Sequence, residues 1–462
     1  MITLETLMRE YAERTPESAA LYGKACRALP GGVSANIKFF DPYPLFMDKG
    51  EGAWLTDVDG NRYVDYLLSY GPLALGHGHP AVKAAIMEQF DRHGSLLYGT
   101  PHALETEYAE KIKEHFPSIE LLRYTNSGTE ATLLSLRTAY ACTGKYKIGK
   151  FEGHYHGGYN QVLLSVNPPL ARAGAVTRPI PVPESAGLEP YQLVNTVVLP
   201  FNDLEDCTAI LREHKDDMAA VIMEPLLAGY IEATPEFMHG LRTVTEELGI
   251  LLLFDEVKTG FRAGLGGAQG LYGVRPDLTA LGKVIGAGMP MGVVGGKKEL
   301  MMKSAPVRGS DVFDMSAEKR SSAGDVLFHS GTYNGDPLIL RAGLTSIKIL
   351  EKEFEGIRAR TESLKKGLKD LFAARGIAVN LPGVGTVFNI VLTDKPRIES
   401  YRDMQEADLT LRKKIDFALF REGIYNKPTN RYSLSTAHDE SVIDFTLEAY
   451  KKVLARFQHF QN

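Results

Sequence analysis

The chain has 462 residues, 44% apolar and 24% charged, enough for two or three domains with a large core. Its 52 Lys and Arg against 57 Asp and Glu leave a net charge of −5, so no electrostatic footprint for nucleic acid is present. Apolar runs such as "ILLLF" are too short to cross a bilayer, the N-terminus lacks a secretory pattern, and Cys26, Cys142 and Cys207 lack metal-ligand spacing, so a cytoplasmic protein with no metal and no membrane partner is expected.

In chain order, Leu4, Leu7, Met8 and Tyr11 recur at helical spacing and predict helix over residues 1–29. "LPGGVSANIKFFDPYP" is a Gly/Pro-rich loop, and "AWLTDVDGNRYVDY" alternates around an Asp-Gly turn as a hairpin does. From about Pro80 to Ala323 strands and helices alternate. "LLRYT" (121–125), "KIGKF" (147–151), "AAVIMEP" (219–225) and "ILLLFDEV" (250–257) read as strands, with helices over "TEATLLSLRTAYACTG" and 235–249. Apolar strands alternating with amphipathic helices imply an α/β fold with a parallel sheet covered on both faces. Residues 164–200 form a Pro/Gly/Ala-rich insertion long enough to be a lid. Beyond "GTYNGDP" the pattern changes. A helix over 336–353 leads into a charged helix, short strands in "AVNL" and "VFNIVL", and helices over 407–422 and 440–457, which reads as a smaller α+β domain.

Four stretches carry chemistry. "NSGTEA" (126–131) opens a helix after a strand. Ser127, Gly128 and Thr129 there offer backbone N–H groups and hydroxyls to a phosphate, or merely cap the helix. "FEGHYHG" (151–157) follows a strand and presents Tyr155 and His156. An aromatic there stacks on a planar ring, or else the pair is a core aromatic and a surface histidine. Asp255 ends an apolar strand, where open α/β sheets place ligands, and its carboxylate suits a protonated ring nitrogen; Glu256 and Lys258 beside it read as structural or rim residues. Lys283, in "LTALGKVIGAGMP", sits among apolar residues. Desolvation there favours the neutral amine, a Schiff-base nucleophile, unless the side chain snorkels to water. Together these parts match the needs of pyridoxal 5'-phosphate.

Nearly the whole chain resembles the class III, fold-type I aminotransferases, in the branch of glutamate-1-semialdehyde 2,1-aminomutase. The resemblance rests on "PGGVS", "YVDYLLSYGPLALGHGHP", "NSGTEA", "FEGHYHGGYN", "FDEVKTGFR", "GGAQGLYGVRPDLTALGKVIGAGMPMG", "SGTYNGDPL" and Ala437-His438. It implies a large domain (76–330) with a mostly parallel sheet flanked by helices. A smaller α+β domain would be built from an N-terminal segment (1–75) and a C-terminal one (331–462). It also implies that Lys283 carries the aldimine and moves protons, that Asp255 binds the pyridine nitrogen, and that Val257 and Tyr155 pack on the two ring faces, with His156 beside them. Ser127, Gly128 and Thr129 would hold the phosphate. Thr332 would reach the phosphate of a second subunit, making a homodimer with shared sites, and residues 164–200 would gate them.

The pattern departs from the aminomutase where that family holds its substrate. Ala35 and Lys38 stand where it has serine and arginine, and Asn430, beside Arg431, stands where it has glutamate. Arg and Lys are not equivalent toward a carboxylate. The departures favour an aminotransferase that takes an amino donor and a keto acid acceptor, with Lys38, Tyr70 and Arg431 binding substrate. The alternatives are the aminomutase itself and a racemase or decarboxylase on the same fold.

Overall fold

A computed structural model describes residues 2–307 and 326–457. Residues 308–325, part of the expected large domain, lie outside the described residues. The chain forms two compact units. One holds Met1–Lys83, Ile349–Ile398 and Asp403–Asn462; the other holds Ala84–Lys348 and Glu399–Arg402.

The second unit is built on a seven-stranded sheet. Its order is 121–125, 292–296, 278–282, 251–255, 218–223, 147–151, 196–199. All neighbours pair in parallel except 292–296, which runs antiparallel to both 278–282 and 121–125. The central strands are buried along their length, Met218–Met223 and Leu278–Gly282 at every residue, as a sheet covered on both faces requires. Helix Gly128–Thr143 starts on the Ser127 cap, whose Oγ accepts from Glu130 N at 3.1 Å, and stops at Gly144 (φ 69°).

The other unit has a four-stranded sheet in the order 47–51, 54–57, 62–65, 424–425, with the expected hairpin pairing Trp54 to Val64. Against it lies an aromatic cluster in which the Tyr11 ring meets Phe417 edge-on at 5.8 Å and Phe40 stacks on Phe420 at 5.9 Å.

Several expected elements change. The N-terminal helix is two, Leu4–Arg14 and Pro16–Ala25, because Pro16 cannot continue the first and instead starts the second. The two helices expected after 336 are one, Pro337–Ala373. The charged stretch keeps an apolar stripe at helical spacing, Phe354, Ile357, Leu364, Leu368 and Phe372, all buried. The strand expected in "AVNL" is a single bridge, Asn380 to Val391, and in "VFNIVL" only Val387–Phe388 forms a strand, with that bridge at Val391 beyond it.

The insertion 164–200 is not one loop, since Thr196–Leu199 is the edge strand of the large sheet. Its first part is tied down. Lys150 Nζ donates to the Leu164 and Ser165 carbonyls, the latter at 3.4 Å, and Glu184 accepts from the N–H groups of Val166 (3.1 Å) and Asn167 (2.8 Å). Arg402 grips Glu152 at 2.8 and 2.9 Å and donates to the Gly174 carbonyl at 3.1 Å.

Candidate active site

The carboxyl ends of the parallel strands converge on one cavity of about 240 Å³. Asp255 ends strand 251–255, Lys283 follows 278–282, Glu224 follows 218–223, the loop with Tyr155 and His156 follows 147–151, and Gly128 and Thr129 follow 121–125. No two of these segments are neighbours in sequence. The sheet alone brings them together.

The wall is fixed by short polar contacts. Asp255 is buried; its Oδ2 meets His156 Nδ1 at 2.8 Å and its Oδ1 accepts the Val257 N–H at 3.0 Å. Two donors thus orient the carboxylate, one on each oxygen. His156 is buried, not on the surface, and its Nε2 has no hydrogen-bond partner among the described residues. Tyr155 is 47% exposed, not a core aromatic, and its backbone N–H is held by Glu224 Oε2 at 2.9 Å.

Close packing leaves room only for glycine at two points. A Cβ on Gly128 would stand 2.5 Å from Val257 Cγ1, and one on Gly157 would stand 2.8 Å from Thr129 Cγ2. The helix that begins at Gly128 thus starts with its backbone packed close against Val257, with Gly157 close against Thr129 of its first turn, and a helix start is the geometry that takes a phosphate. Lys283 has φ 51° at the end of its strand, a left-handed conformation unusual for a residue with a side chain. Such strain, held in place by surrounding structure, clusters at functional sites.

Of the residues expected around the cofactor, Gly128, Thr129, Tyr155, His156, Asp255, Val257 and Lys283 line this cavity. Ser127 sits one residue outside as the helix cap, and Thr332 lies apart on an exposed turn. Glu256 is structural as expected: it is buried, and accepts from Thr259 and from the N–H groups of Ala268 and Gln269 at 2.8 Å each. Lys258 and Glu224 were the residues that sequence reasoning undervalued. They line the same cavity and pair at 3.1 Å. Burial alone would raise the Glu224 carboxyl, but Lys258, the neighbouring histidines and the Tyr155 N–H outweigh it and bring it down to about 2.

The N- and C-terminal unit has a cavity of its own, about 630 Å³. Lys38 and Tyr70 line it, as does Lys427; Arg431 does not. Leu68, Ser69 and Tyr70 all have positive φ (46°, 55° and 69°), so the backbone at this wall is strained over three residues in a row. Lys38 Nζ donates to Ser34 Oγ at 2.8 Å, and Lys427 Nζ to the Ile37 carbonyl. The rest of the wall is largely apolar, with Leu29, Val33, Leu45, Phe46, Leu55 and Leu67. Asn430 turns its Oδ1 back to the Arg431 N–H at 3.0 Å.

Residues 38–431 match the family model for aminotransferase class III. The chain belongs to that family. Curated relatives of the class III chain include a glutamate-1-semialdehyde 2,1-aminomutase of Methanothrix thermoacetophila, 41% identical over 95% of this chain and 96% of that protein. Similar solved structures include an omega-transaminase from Sphaerobacter thermophilus (TM-score 0.88, 32% identity, 96% of this chain and 99% of that one). A beta-phenylalanine aminotransferase from Variovorax paradoxus is similar too (TM-score 0.84, 32% identity, 98% and 97%). The fold is thus the fold-type I α/β architecture of pyridoxal-phosphate enzymes, and the class III chain is a pyridoxal-phosphate-dependent enzyme. The cavity fits that cofactor: a glycine-floored helix start for the phosphate, a buried carboxylate for the ring nitrogen, and a lysine for the aldehyde.

Proposed function

We propose that this enzyme is an aminotransferase moving an amino group from an amino acid donor to a separate keto acid. The cofactor supplies an electron sink for the bonds at the donor's α-carbon. Lys283 would hold the cofactor at rest and carry the donor's proton; Asp255, steadied by His156, would keep the ring nitrogen protonated. Gly128 and Thr129, with the Ser127 cap, would take the phosphate, and Val257 and Tyr155 would confine the ring. Thr332, exposed on its turn, would reach the phosphate of a second copy in a homodimer.

The observation that carries transfer between molecules is the cavity holding Lys38. Its lysines suit a substrate carboxylate, and its apolar wall suits a hydrocarbon side chain better than a small polar semialdehyde. A second reading, the 2,1-aminomutase, is favoured by the 41% identity to the Methanothrix protein.

The two differ in a simple measurement. A transaminase parks the amino group and releases its product. Donor alone should therefore bleach the cofactor's visible absorbance stably, added keto acid should restore it, and the kinetics should be ping-pong. Rapid conversion of glutamate-1-semialdehyde to 5-aminolevulinate, without exchange against external keto acids, would establish the second reading instead.

A further inference from the structure

Residues 154–157 belong to no helix or strand, yet they carry the aromatic ring assigned to one face of the cofactor. We propose that Glu224 is the positioning residue for that ring: through its carboxylate and its own backbone N–H it fixes the loop, and so sets where Tyr155 meets the cofactor. This rests on the reading that pyridoxal phosphate occupies the 240 Å³ cavity with Tyr155 against the ring.

The loop by itself is poorly suited to the task. It is bounded by Gly153 (φ 85°) and Gly157 (φ 116°), positions at which the backbone turns as glycine readily allows. Tyr155 is 47% exposed, so packing alone does not hold its side chain. Its place must come from the backbone on which it stands.

That backbone is held at three successive residues. The His154 ring is fully buried, with Phe201 at 4.9 Å and Phe151 at 5.3 Å between ring centroids, and its Nδ1 accepts the Glu224 N–H at 3.0 Å. The Tyr155 N–H donates to Glu224 Oε2 at 2.9 Å. The His156 ring meets Asp255 at 2.8 Å. Two of the three bonds end on Glu224, and they bracket the Cα that carries the Tyr155 ring.

Glu224 is a firm support. It directly follows strand Met218–Met223, buried at every residue, and is itself only 3% exposed. Its carboxyl, brought down to about 2, stays an acceptor at working pH, and a bond from an N–H to an ionised acceptor is stronger than one to a neutral oxygen. Length matters as much as charge. Aspartate at this position would keep the charge but draw the oxygens back by roughly 1.5 Å, one carbon–carbon bond.

The test is a double-variant cycle read on cofactor binding. Cofactor-free protein is titrated with pyridoxal phosphate and followed by absorbance and by visible circular dichroism, which reports how the ring is surrounded. Tyr155→Ala should weaken binding about tenfold and at least halve the dichroic band, because a stacked ring is lost. Glu224→Asp should have nearly the same effect. Glu224→Asp/Tyr155→Ala should fall no more than about twofold below Tyr155→Ala, since both changes remove one contact. Losses that multiply in the double variant overturn the proposal, as does a Glu224→Asp protein that behaves as wild type. An unchanged Tyr155→Ala protein overturns the stacking reading and the proposal with it; a wild type that binds no cofactor overturns the cofactor reading. Should Glu224→Asp fail to fold, hydrogen exchange on cofactor-free wild type decides. The Tyr155 N–H should exchange at least a hundredfold slower than an unprotected amide, because Glu224 holds it before the cofactor arrives. Free exchange overturns the proposal.

Discussion

The two cavities treat charge in opposite ways. In the cavity at the sheet's carboxyl ends, nitrogen groups meet carboxylates from the chain itself: Lys258 has Glu224 at 3.1 Å and the His156 ring has Asp255 at 2.8 Å. In the cavity of the N- and C-terminal unit the two lysines meet neutral acceptors, the Ser34 hydroxyl and the Ile37 carbonyl, while the one carboxylate on its wall, Asp65, is held by His77 at 2.8 Å. A wall whose polar groups answer one another holds one fixed constellation. A wall with uncompensated positive charge and apolar surroundings is suited to an incoming carboxylate with a hydrocarbon tail. On the proposed reading, the first would serve the chemistry and the second the choice of substrate.

The sharpest way to break that division is to attack the first cavity. Lys283→Ala should lower turnover by about 10³-fold or more, since both a covalent anchor and a proton carrier are gone. Asp255→Asn should still bind cofactor but lose about 10²–10³-fold in kcat, because the charge that stabilises a protonated ring nitrogen is removed. Steady-state rates with cofactor occupancy measured by absorbance decide both. Near-normal kcat in either would mean the fixed constellation is not the reacting one.

Changes in the second cavity should look different. Lys38→Ala and Lys427→Ala should raise KM about tenfold and leave kcat within a few-fold, the mark of lost ground-state binding. Phe46→Ala should alter the ranking of donors by side-chain size, by about 1–3 kcal/mol in relative kcat/KM. A donor panel run on all three variants measures this. If Lys38→Ala lowers kcat and spares KM, the assignment of choice to this cavity fails.

The first cavity was far more legible in the sequence than the second, for a physical reason. Each of its segments is a strand end followed by a turn, so "NSGTEA", "HYHG", Asp255 and Lys283 announce themselves locally. What stayed hidden there was pairing at a distance. Glu224 and Lys258 are 34 positions apart, and only the register of 218–223 beside 251–255 makes them neighbours. The second cavity draws on residues 29–77 and 425–427, with no local motif at Lys427. Arg431 was singled out from its place beside Asn430, but local sequence cannot say which way a guanidinium turns. It donates to the Tyr70 carbonyl at 3.4 Å and to Asn430. Strand Thr196–Leu199 was missed because the Pro-rich stretch before it masks four residues of β-branched and apolar pattern.

A third kind of lysine sets the limit of the comparison, with the smallest effect on activity. Lys150 is fully buried, has no salt bridge among the described residues, and donates to the carbonyls of Leu164 and Ser165. Burial pulls it down to about 7, against the opposing pull of Glu224, Glu184 and Glu152. The unfolded chain keeps the ordinary lysine value of 10.5, so between about 7 and 10.5 it holds a proton that the folded chain has released. Stability should therefore gain from this group as pH rises through that window, and its cost should be complete below about 7. Lys150→Met should flatten the slope of unfolding free energy between pH 7 and 10, by a few kcal/mol at most across the window. It should also loosen the start of the insertion, because two carbonyls lose their donor. Denaturant melts of both proteins at several pH values, with hydrogen exchange over residues 164–168, measure the two effects. An unchanged pH slope would show that Lys150 keeps its proton on folding.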